Sequence, residues 1–339
     1  MTAARRDVLI LGGTQWVGRA LAAEALRRGH RVTCLARGMA GAVADGATLV
    51  VADRTAPDAY AAVAGRAWDV VIDVARDASF AQPAAEALAA RAGHWTFISS
   101  GAAYARQDEP GADEAAALLD PAPTPYGAAK SAIEAAYRAA LGGRLLIARA
   151  GLIGGPGDAT CRTGYYVARA ARDDAPMLVP DVGDAPLQLL DARDLAAWIL
   201  SAAERGLAGA FNAVGDRTTV GAFLAASRAI AGHRGAAVAV PGAWIAAHGV
   251  ADWDGPESLP VWLADPAWSA CLDRSNAAAV REGLRRRPLD ETLRDLLVWE
   301  RAEGLDRKRA AGLSAARERE LIAAWGAPSS TCGSGSRGI

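Results

Sequence analysis

A doubly wound, parallel α/β fold followed by a smaller, mixed α/β unit is what this chain predicts, and three observations carry the prediction. Short apolar runs of strand length alternate with helix-period segments through the first 155 residues. The first of these strands passes through a tight glycine turn straight into a helix. The 339 residues, 52% of them hydrophobic, suffice for about two units of ~150 residues with a sizeable core.

Taken in order, residues 8–11 (Val-Leu-Ile-Leu) form the first strand, and Gly12, Gly13, Thr14, Gln15, Trp16, Val17 and Gly18 form the turn. From Trp16 to Arg28 apolar residues recur at helical spacing. Glycines at such a turn let the backbone approach a pyrophosphate, and the following helix offers free N–H groups and the positive end of its dipole. A dinucleotide is the expected guest. The spacing is irregular, with Gln15 where a third glycine is usual. Residues 31–35 are the second strand, ending at Ala36-Arg37-Gly38. An acid near this point, about 20 residues beyond the glycines, would hold the ribose 2′-hydroxyl of NAD. Here that acid is missing and Arg37 offers a cation for a 2′-phosphate, so NADP(H) is favoured over NAD(H), with a solvated loop arginine as the plainer alternative.

Residues 48–51 give a third strand, followed by Asp53 and Arg54; Asp53 either meets an adenine amino group or caps the next helix. Residues 70–73 are the fourth strand, and Val74, Ala75 and Arg76 stand at its carboxyl end, where open parallel sheets bind ligands. Residues 95–99 are the fifth. They lead into Ser99-Ser100-Gly101-Ala102-Ala103-Tyr104, an acidic loop over 108–120, and Pro125-Tyr126-Gly127-Ala128-Ala129-Lys130, which opens a helix running to about Leu141.

Tyr126 and Lys130 are four apart on that helix, so their side chains share a face. A phenol is a poor acid at neutral pH, but a nearby ammonium stabilises the phenolate and brings its pKa toward the working range. Such a pair can donate a proton to a carbonyl receiving hydride, and Ser100 can hydrogen-bond the same oxygen.

Composition limits the alternatives. The net charge of -1 argues against nucleic acid or an anionic membrane as the main partner and favours a small molecule. No apolar run of membrane length and no apolar signal region is present in the sequence, which makes the cytoplasm the expectation. Cys34, Cys161, Cys271 and Cys332 are far apart, without the spacing of a metal site or a disulfide framework. Of the 37 lysines and arginines only Lys130 and Lys308 are lysine, so Lys130 stands out in an arginine-rich chain.

These residues resemble the short-chain dehydrogenase/reductase superfamily in its extended, epimerase/dehydratase-like form. The likeness rests on residues 12–18, Asp53, Ser100, Tyr126 and Lys130, and on Arg149-Ala150-Gly151-Leu152-Ile153-Gly154-Gly155-Pro156-Gly157 after a sixth strand. It covers about residues 6–325, firmly in the first half and loosely in the second. The resemblance implies a Rossmann sheet, a Ser100, Tyr126 and Lys130 trio with Lys130 also on the nicotinamide ribose, and passage of Ala150, Gly151, Leu152 and Ile153 beside the nicotinamide. It also implies a homodimer paired through the helix that bears Tyr126. Dehydratases of this family carry Asp-Glu after the serine position; Gly101-Ala102 stands here, which speaks against dehydration. The asparagine that sugar-nucleotide enzymes carry in the segment equivalent to 149–155 is also absent.

The second half carries less chemistry. Residues 187–195 resemble the strand and helix start that return to the substrate pocket, with Gln188 expected there. Arg162, Tyr165 and Tyr166 in the loop and helix over 157–172 read equally as pocket lining and as packing. Trp253, Trp262 and Trp268 wall a pocket or, more commonly, fill a core. Residues 209–214 read as a strand, 220–231 as a helix, and 288–299 as an amphipathic helix packed on the main domain; 301–320 read as a solvated helical face. The expected division is a dinucleotide-binding unit over 1–155, a substrate-binding subdomain over 156–326 partly interleaved with it, and a flexible tail over 327–339. The function expected is carbonyl reduction or alcohol oxidation on a small molecule with NADP(H), with Arg76, Ser100, Gly101, Tyr104, Tyr165 and Gln188 toward the substrate. A nucleotide-sugar epimerase with retained NAD and a dinucleotide-binding regulatory or scaffold protein without turnover are the rival readings.

Overall fold

Strand residues buried on both faces fix the layering. In β1 (Asp7–Leu11), Val8 and Ile10 face one core while Leu9 and Leu11 face another, and all four are fully buried. A strand buried on both faces must be covered by helices on both sides, which is the parallel-sheet solution. The computed structural model describes residues 4–327. The tail expected over 327–339 lies, from residue 328 onward, outside the described residues.

After β1 come α1 (Trp16–Arg27), β2 (Arg31–Ala36), β3 (Thr48–Val51), α2 (Ala61–Ala64), β4 (Trp68–Asp73), α3 (Ala81–Leu88), β5 (Ala92–Ser100), α4 (Tyr126–Leu141) and β6 (Leu145–Ala150). Then follow β7 (Leu152–Gly154), α5 (Tyr165–Arg172), β8 (Met177–Pro180), β9 (Pro186–Asp191), α6 (Ala192–Glu204) and β10 (Gly209–Ala213). The chain continues through β11 (Arg217–Thr219), α7 (Val220–Ala231), β12 (Ala237–Val240), α8 (Gly242–Ala247), α9 (Ala277–Arg281), α10 (Leu289–Glu303) and α11 (Ala315–Gly326).

The main sheet has the order β10-β6-β5-β4-β1-β2-β3, parallel throughout. Strand order reverses between β1 and β4, which opens a crevice at their carboxyl ends. Leu21, Ala22 and Ala25 of α1 and Leu195, Trp198 and Ile199 of α6 cover one face; Ala84 and Leu88 of α3 and Ile133 and Tyr137 of α4 cover the other. The last strand, β10, comes from residues beyond 200, so the main sheet is completed by the second half of the chain.

A third core gathers α5, α7 and α10 around Tyr166, Phe223, Leu293 and Leu296, with β8 paired to β12 and a mixed sheet β11-β9-β7. Two expectations are corrected here. Helix α10 packs into this third core against α5 and α7, because its Leu293, Leu296 and Leu297 stripe fits that core instead of the main domain. The charged stretch 301–320 is not one solvated face: Glu318 is buried and pairs with buried Arg169, while its second oxygen accepts from the Leu178 amide at 3.1 Å. A charge buried this way is kept because it is paired and hydrogen-bonded.

Candidate active site

The glycine turn is shaped by steric need. Gly12 has φ +100°, a left-handed conformation that a side chain would strain, and a Cβ there would lie 2.7 Å from Val74 Cγ2. A Cβ on Gly13 would meet Cys34 Sγ at 2.3 Å, and one on Gly18 would meet the Gly12 carbonyl oxygen at 2.0 Å. Gln15, by contrast, is an extended N-cap at φ −94°, so no glycine is needed where the sequence departs from the usual spacing. Helix α1 starts without a side-chain cap and without an acid in its first turn. Its leading N–H groups are therefore free for an anion. Trp16 donates from Nε1 to the Pro156 carbonyl at 2.9 Å, which ties the turn to the loop after β7. The backbone cradle, the uncapped helix and the crevice at the strand reversal together fit a dinucleotide.

Helix α4 brings the polar trio together. Its first turn is pressed on the short turn after β5: a Cβ on Gly127 would lie 2.0 Å from the Ala102 carbonyl oxygen. This close approach sets Tyr126 beside Ser100. The Ser100 Oγ accepts from the Ala102 amide at 3.2 Å, which leaves its proton free to donate. Burial raises the Tyr126 pKa, while its hydrogen bond with Ser100 and the charges of Arg76 and Arg162 pull it back. Tyr126 as a whole residue is still 42% exposed. Arg76 lies over the Tyr126 ring at 5.3 Å from its centroid.

Lys130 is turned inward. Its Nζ, 5.7 Å from the Tyr126 ring centroid, donates to the carbonyls of Ala75 at 2.6 Å and Ile98 at 2.7 Å. Burial pushes its pKa down to about 7, with Asp73 pulling upward, Arg76 downward and Glu134 upward. Both of these hydrogen bonds go to backbone carbonyls and neither to the Tyr126 hydroxyl, which the Tyr-x-x-x-Lys pattern does not reveal.

Behind the trio lie two buried acids that sequence reasoning missed. Asp73, fully buried at the end of β4, accepts both Nη atoms of Arg54 at 2.8 Å, the Ala75 amide at 2.8 Å and the Tyr137 hydroxyl. Ala75 in turn holds Lys130, so Asp73 positions the amine through one residue of backbone. Glu134, one turn after Lys130, accepts from Ser99 Oγ at 2.5 Å, from Arg149 Nη2 at 2.9 Å and from Arg138 at 2.8 Å. Polar residues inside an otherwise apolar helix face and strand end were the only signal of either.

Other expected residues are distributed unevenly. Val74 and Ala75 line the crevice beside Gly12. Ala150 ends β6 and is buried; Gly151, Leu152 and Ile153 follow it into β7, with a Cβ on Gly151 excluded by Val214 at 2.9 Å. Arg37 is exposed at the end of β2, and its charge acts on Asp53. Asp53 closes a local turn, accepting from the Thr55 amide at 3.0 Å and hydroxyl at 2.9 Å. Gly101 is buried in the turn after Ser100, its carbonyl accepting from Gln107 at 3.0 Å.

Four expectations are corrected. Arg54 does not reach toward a ligand: its guanidinium is committed to Asp73 and, at 2.8 Å, to the Tyr60 hydroxyl. Tyr104 is 1% exposed, donating to Asn212 Oδ1 at 2.7 Å and accepting from Arg149 at 3.0 Å. Tyr165 is 2% exposed, stacked edge-on to Tyr166 and covered by Gly312, whose absent side chain leaves room for its ring. Gln188 spends both ends of its amide on backbone, accepting from the Arg274 amide at 2.7 Å and donating to the Arg274 carbonyl at 2.9 Å. These last three side chains complete the interior.

A parallel sheet with a glycine-cradled helix start at its strand reversal, and a Ser-Tyr-Lys set beside it, defines an enzyme of the extended short-chain dehydrogenase/reductase type. A family model described as NAD dependent epimerase/dehydratase family matches residues 8–214, and the chain belongs to that family. Among solved structures, a protein from Burkholderia cenocepacia J2315 is 24% identical with a TM-score of 0.71, covering 88% of this chain and 99% of its own. The UDP-glucose 4-epimerase of Thermotoga maritima, solved with UDP-glucose, is 17% identical with a TM-score of 0.65, covering 88% of this chain and 99% of its own. That of Thermus thermophilus, solved with NAD, is 17% identical with a TM-score of 0.62, covering 88% and 100%. These likenesses establish the fold. No curated protein matches the chain.

Proposed function

We propose that the protein is an NAD(P)H-dependent oxidoreductase that reduces a carbonyl, or oxidises the matching alcohol, of a small molecule. The observation that carries this reading is the hydrogen bond between Tyr126 and Ser100 on a partly exposed tyrosine, one helical turn before Lys130, whose amine is held by the carbonyl of Ala75. A bound nicotinamide supplies or accepts the hydride. Tyr126 gives its proton to the carbonyl oxygen as negative charge develops there, and takes it back in the reverse direction. Ser100 donates a hydrogen bond to the same oxygen, while its own Oγ accepts from the Ala102 amide and is held in place by it. Lys130, fixed by the Ala75 and Ile98 carbonyls, braces the wall behind the phenol and is the residue to hold the nicotinamide ribose. Residues 12–18 and the segment 150–153 are the remaining cofactor contacts in this reading.

NADP(H) is the preferred cofactor in this reading, on the strength of exposed Arg37 and the missing acid at the end of β2. The family resemblance adds a cytoplasmic homodimer. The same family and the titles of its neighbours motivate one alternative, an epimerase with retained NAD; NAD that survives gel filtration without net NADPH consumption would favour it. The central test is Tyr126→Phe, followed by loss of nicotinamide absorbance with a panel of carbonyl compounds. Turnover should fall about 10²–10⁴-fold while the cofactor dissociation constant stays nearly unchanged. Full retained activity would remove Tyr126 from the proton transfer.

A further inference from the structure

The residues that follow β4 each touch a different part of the site. Val74 lies against the glycine turn, where a Cβ on Gly12 would come within 2.7 Å of its Cγ2. The Ala75 carbonyl accepts from the Lys130 amine at 2.6 Å. Arg76 lies over the Tyr126 ring, 5.3 Å from its centroid. The turn, the lysine and the phenol therefore share one short segment of backbone, and whatever fixes that segment fixes all of them.

Arg54 fixes it from both ends. Its guanidinium donates to both oxygens of Asp73 at 2.8 Å, before the segment, and from the same Nη2 to the Phe80 carbonyl at 3.3 Å, after it. The guanidinium packs over the Phe80 ring at 4.8 Å, and its Nε is held by the Tyr60 hydroxyl at 2.8 Å. Asp73 carries the constraint inward. It accepts from the Ala75 amide at 2.8 Å and from the hydroxyl of Tyr137, which stands about two turns beyond Lys130 on α4. A buried ion pair is weak evidence for stability, because apolar residues of similar volume often serve as well. No apolar residue at position 73 could accept from an amide, a phenol and a guanidinium together. The pair is suited to holding geometry.

We propose that Arg54 is a positioning residue: by closing the 74–79 loop through Asp73 and Phe80 it sets the glycine turn, the Lys130 amine and the Tyr126 ring as one unit, so that cofactor binding and proton transfer depend on a single buried ion pair. The kinetic part of this inference rests on the carbonyl-reductase reading above.

The test compares Arg54→Met, Arg54→Lys and Arg169→Met, the last of which breaks a comparably buried pair, Arg169 with Glu318, in the third core. NADPH and NADH are titrated by calorimetry, turnover is followed with a panel of carbonyl compounds, and urea unfolding gives the folded fraction by which both are corrected. In Arg54→Met the dissociation constant of the better-bound nucleotide should rise about tenfold, as for coupled sites. Its kcat should fall about 10²-fold, the loss that a misplacement of about 1 Å brings. Arg54→Lys keeps the charge without the planar fork, so it should regain stability but neither affinity nor kcat. This variant carries the comparison if Arg54→Met does not fold. Arg169→Met should lose stability alone. Wild-type affinity or wild-type kcat in Arg54→Met overturns the joint role. So does recovery of both in Arg54→Lys, which would reduce Arg54 to charge balance, and so do equal losses in Arg169→Met, which would mean that any broken buried pair loosens the site.

A further arm needs no substrate. The chain has only two lysines, Lys130 and Lys308, so isotope-labelled lysine gives two side-chain signals, assigned with Lys308→Arg. The Lys130 signal should titrate at about 7 in the wild type and higher in Arg54→Met, where Asp73 faces the amine without its counter-charge. An unchanged midpoint overturns the link from Arg54 to Lys130. If the wild type turns over no carbonyl, the hydride-transfer reading fails, and nucleotide affinity with the Lys130 signal still decides the positioning role.

Discussion

Lys130 is where the chemistry of a single residue departs furthest from its motif. A lysine four residues after a tyrosine reads as a cation for the phenolate, yet burial drives this amine to a pKa of about 7 and gives it two backbone carbonyls instead. The consequence can be measured. In the unfolded chain the amine keeps its proton up to the ordinary lysine value of about 10.4. Between about 7 and that value the unfolded state therefore binds more protons than the folded state, and the stability tied to Lys130 rises with pH. Urea unfolding of wild type and Lys130→Met at pH 7, 8 and 9 should show the difference growing in favour of wild type, by at most ~1.4 kcal/mol per pH unit. A difference that does not change with pH would mean that the buried amine stays protonated throughout.

At the scale of elements, the start of α4 governs the site, because its distance from the turn after β5 sets whether Tyr126 meets Ser100. Gly127 permits that distance. In Gly127→Ala the new Cβ would meet the Ala102 carbonyl oxygen at 2.0 Å and Leu119 at 2.9 Å, so the helix must back away. The expected result is a loss of about 1–3 kcal/mol in stability and a fall in kcat/KM of at least about tenfold, with cofactor affinity kept because the glycine turn lies elsewhere. Wild-type activity in this variant would show that the helix can retreat without parting the pair.

Gly127 sits in plain view between the two catalytic candidates, and it marks what a sequence can and cannot disclose. The strand-turn-helix opening, the parallel strands and the Ser-Tyr-Lys order were legible, because hydrophobic period and glycine chemistry are local. Tyr104, Tyr165 and Gln188 mislead a sequence reading, because a polar tip on a large side chain suits a pocket wall and a satisfied interior equally until its partners are known. Arg162 is undecidable from sequence for the opposite reason: its platform, Trp253, is 91 residues away, and only the fold brings them together.

Across the whole molecule, the main sheet and the third core are tied together by a network of buried and half-buried ion pairs. Asp191, at the junction of β9 and α6, is the joint. It is 2% exposed and accepts from Arg193 Nη2 at 2.6 Å and from Thr292 of α10 at 3.1 Å. Arg193 reaches on to Asp295 at 2.7 Å, and Arg287 binds Asp194 at 2.7 Å. Gly155, in the loop after β7, packs so closely that a Cβ there would lie 3.2 Å from the Asp191 carboxylate. Burial opposes ionisation of Asp191, but the hydrogen bonds and charge of Arg193, with the charge of Arg287, outweigh it and hold its pKa below the usual 3.8. A carboxyl depressed in this way contributes stability that is complete above its unfolded pKa and is lost as pH falls through its folded pKa. Asp191→Asn leaves the arginines without their buried partner and should cost about 3–5 kcal/mol at pH 7. Because an asparagine mimics the protonated acid, the gap to wild type in guanidinium unfolding should stay constant from pH 7 to about 4 and narrow only below 3.8. A gap that persists undiminished into that acid range would show that the joint depends on the shape of the Asp191 side chain and not on its charge.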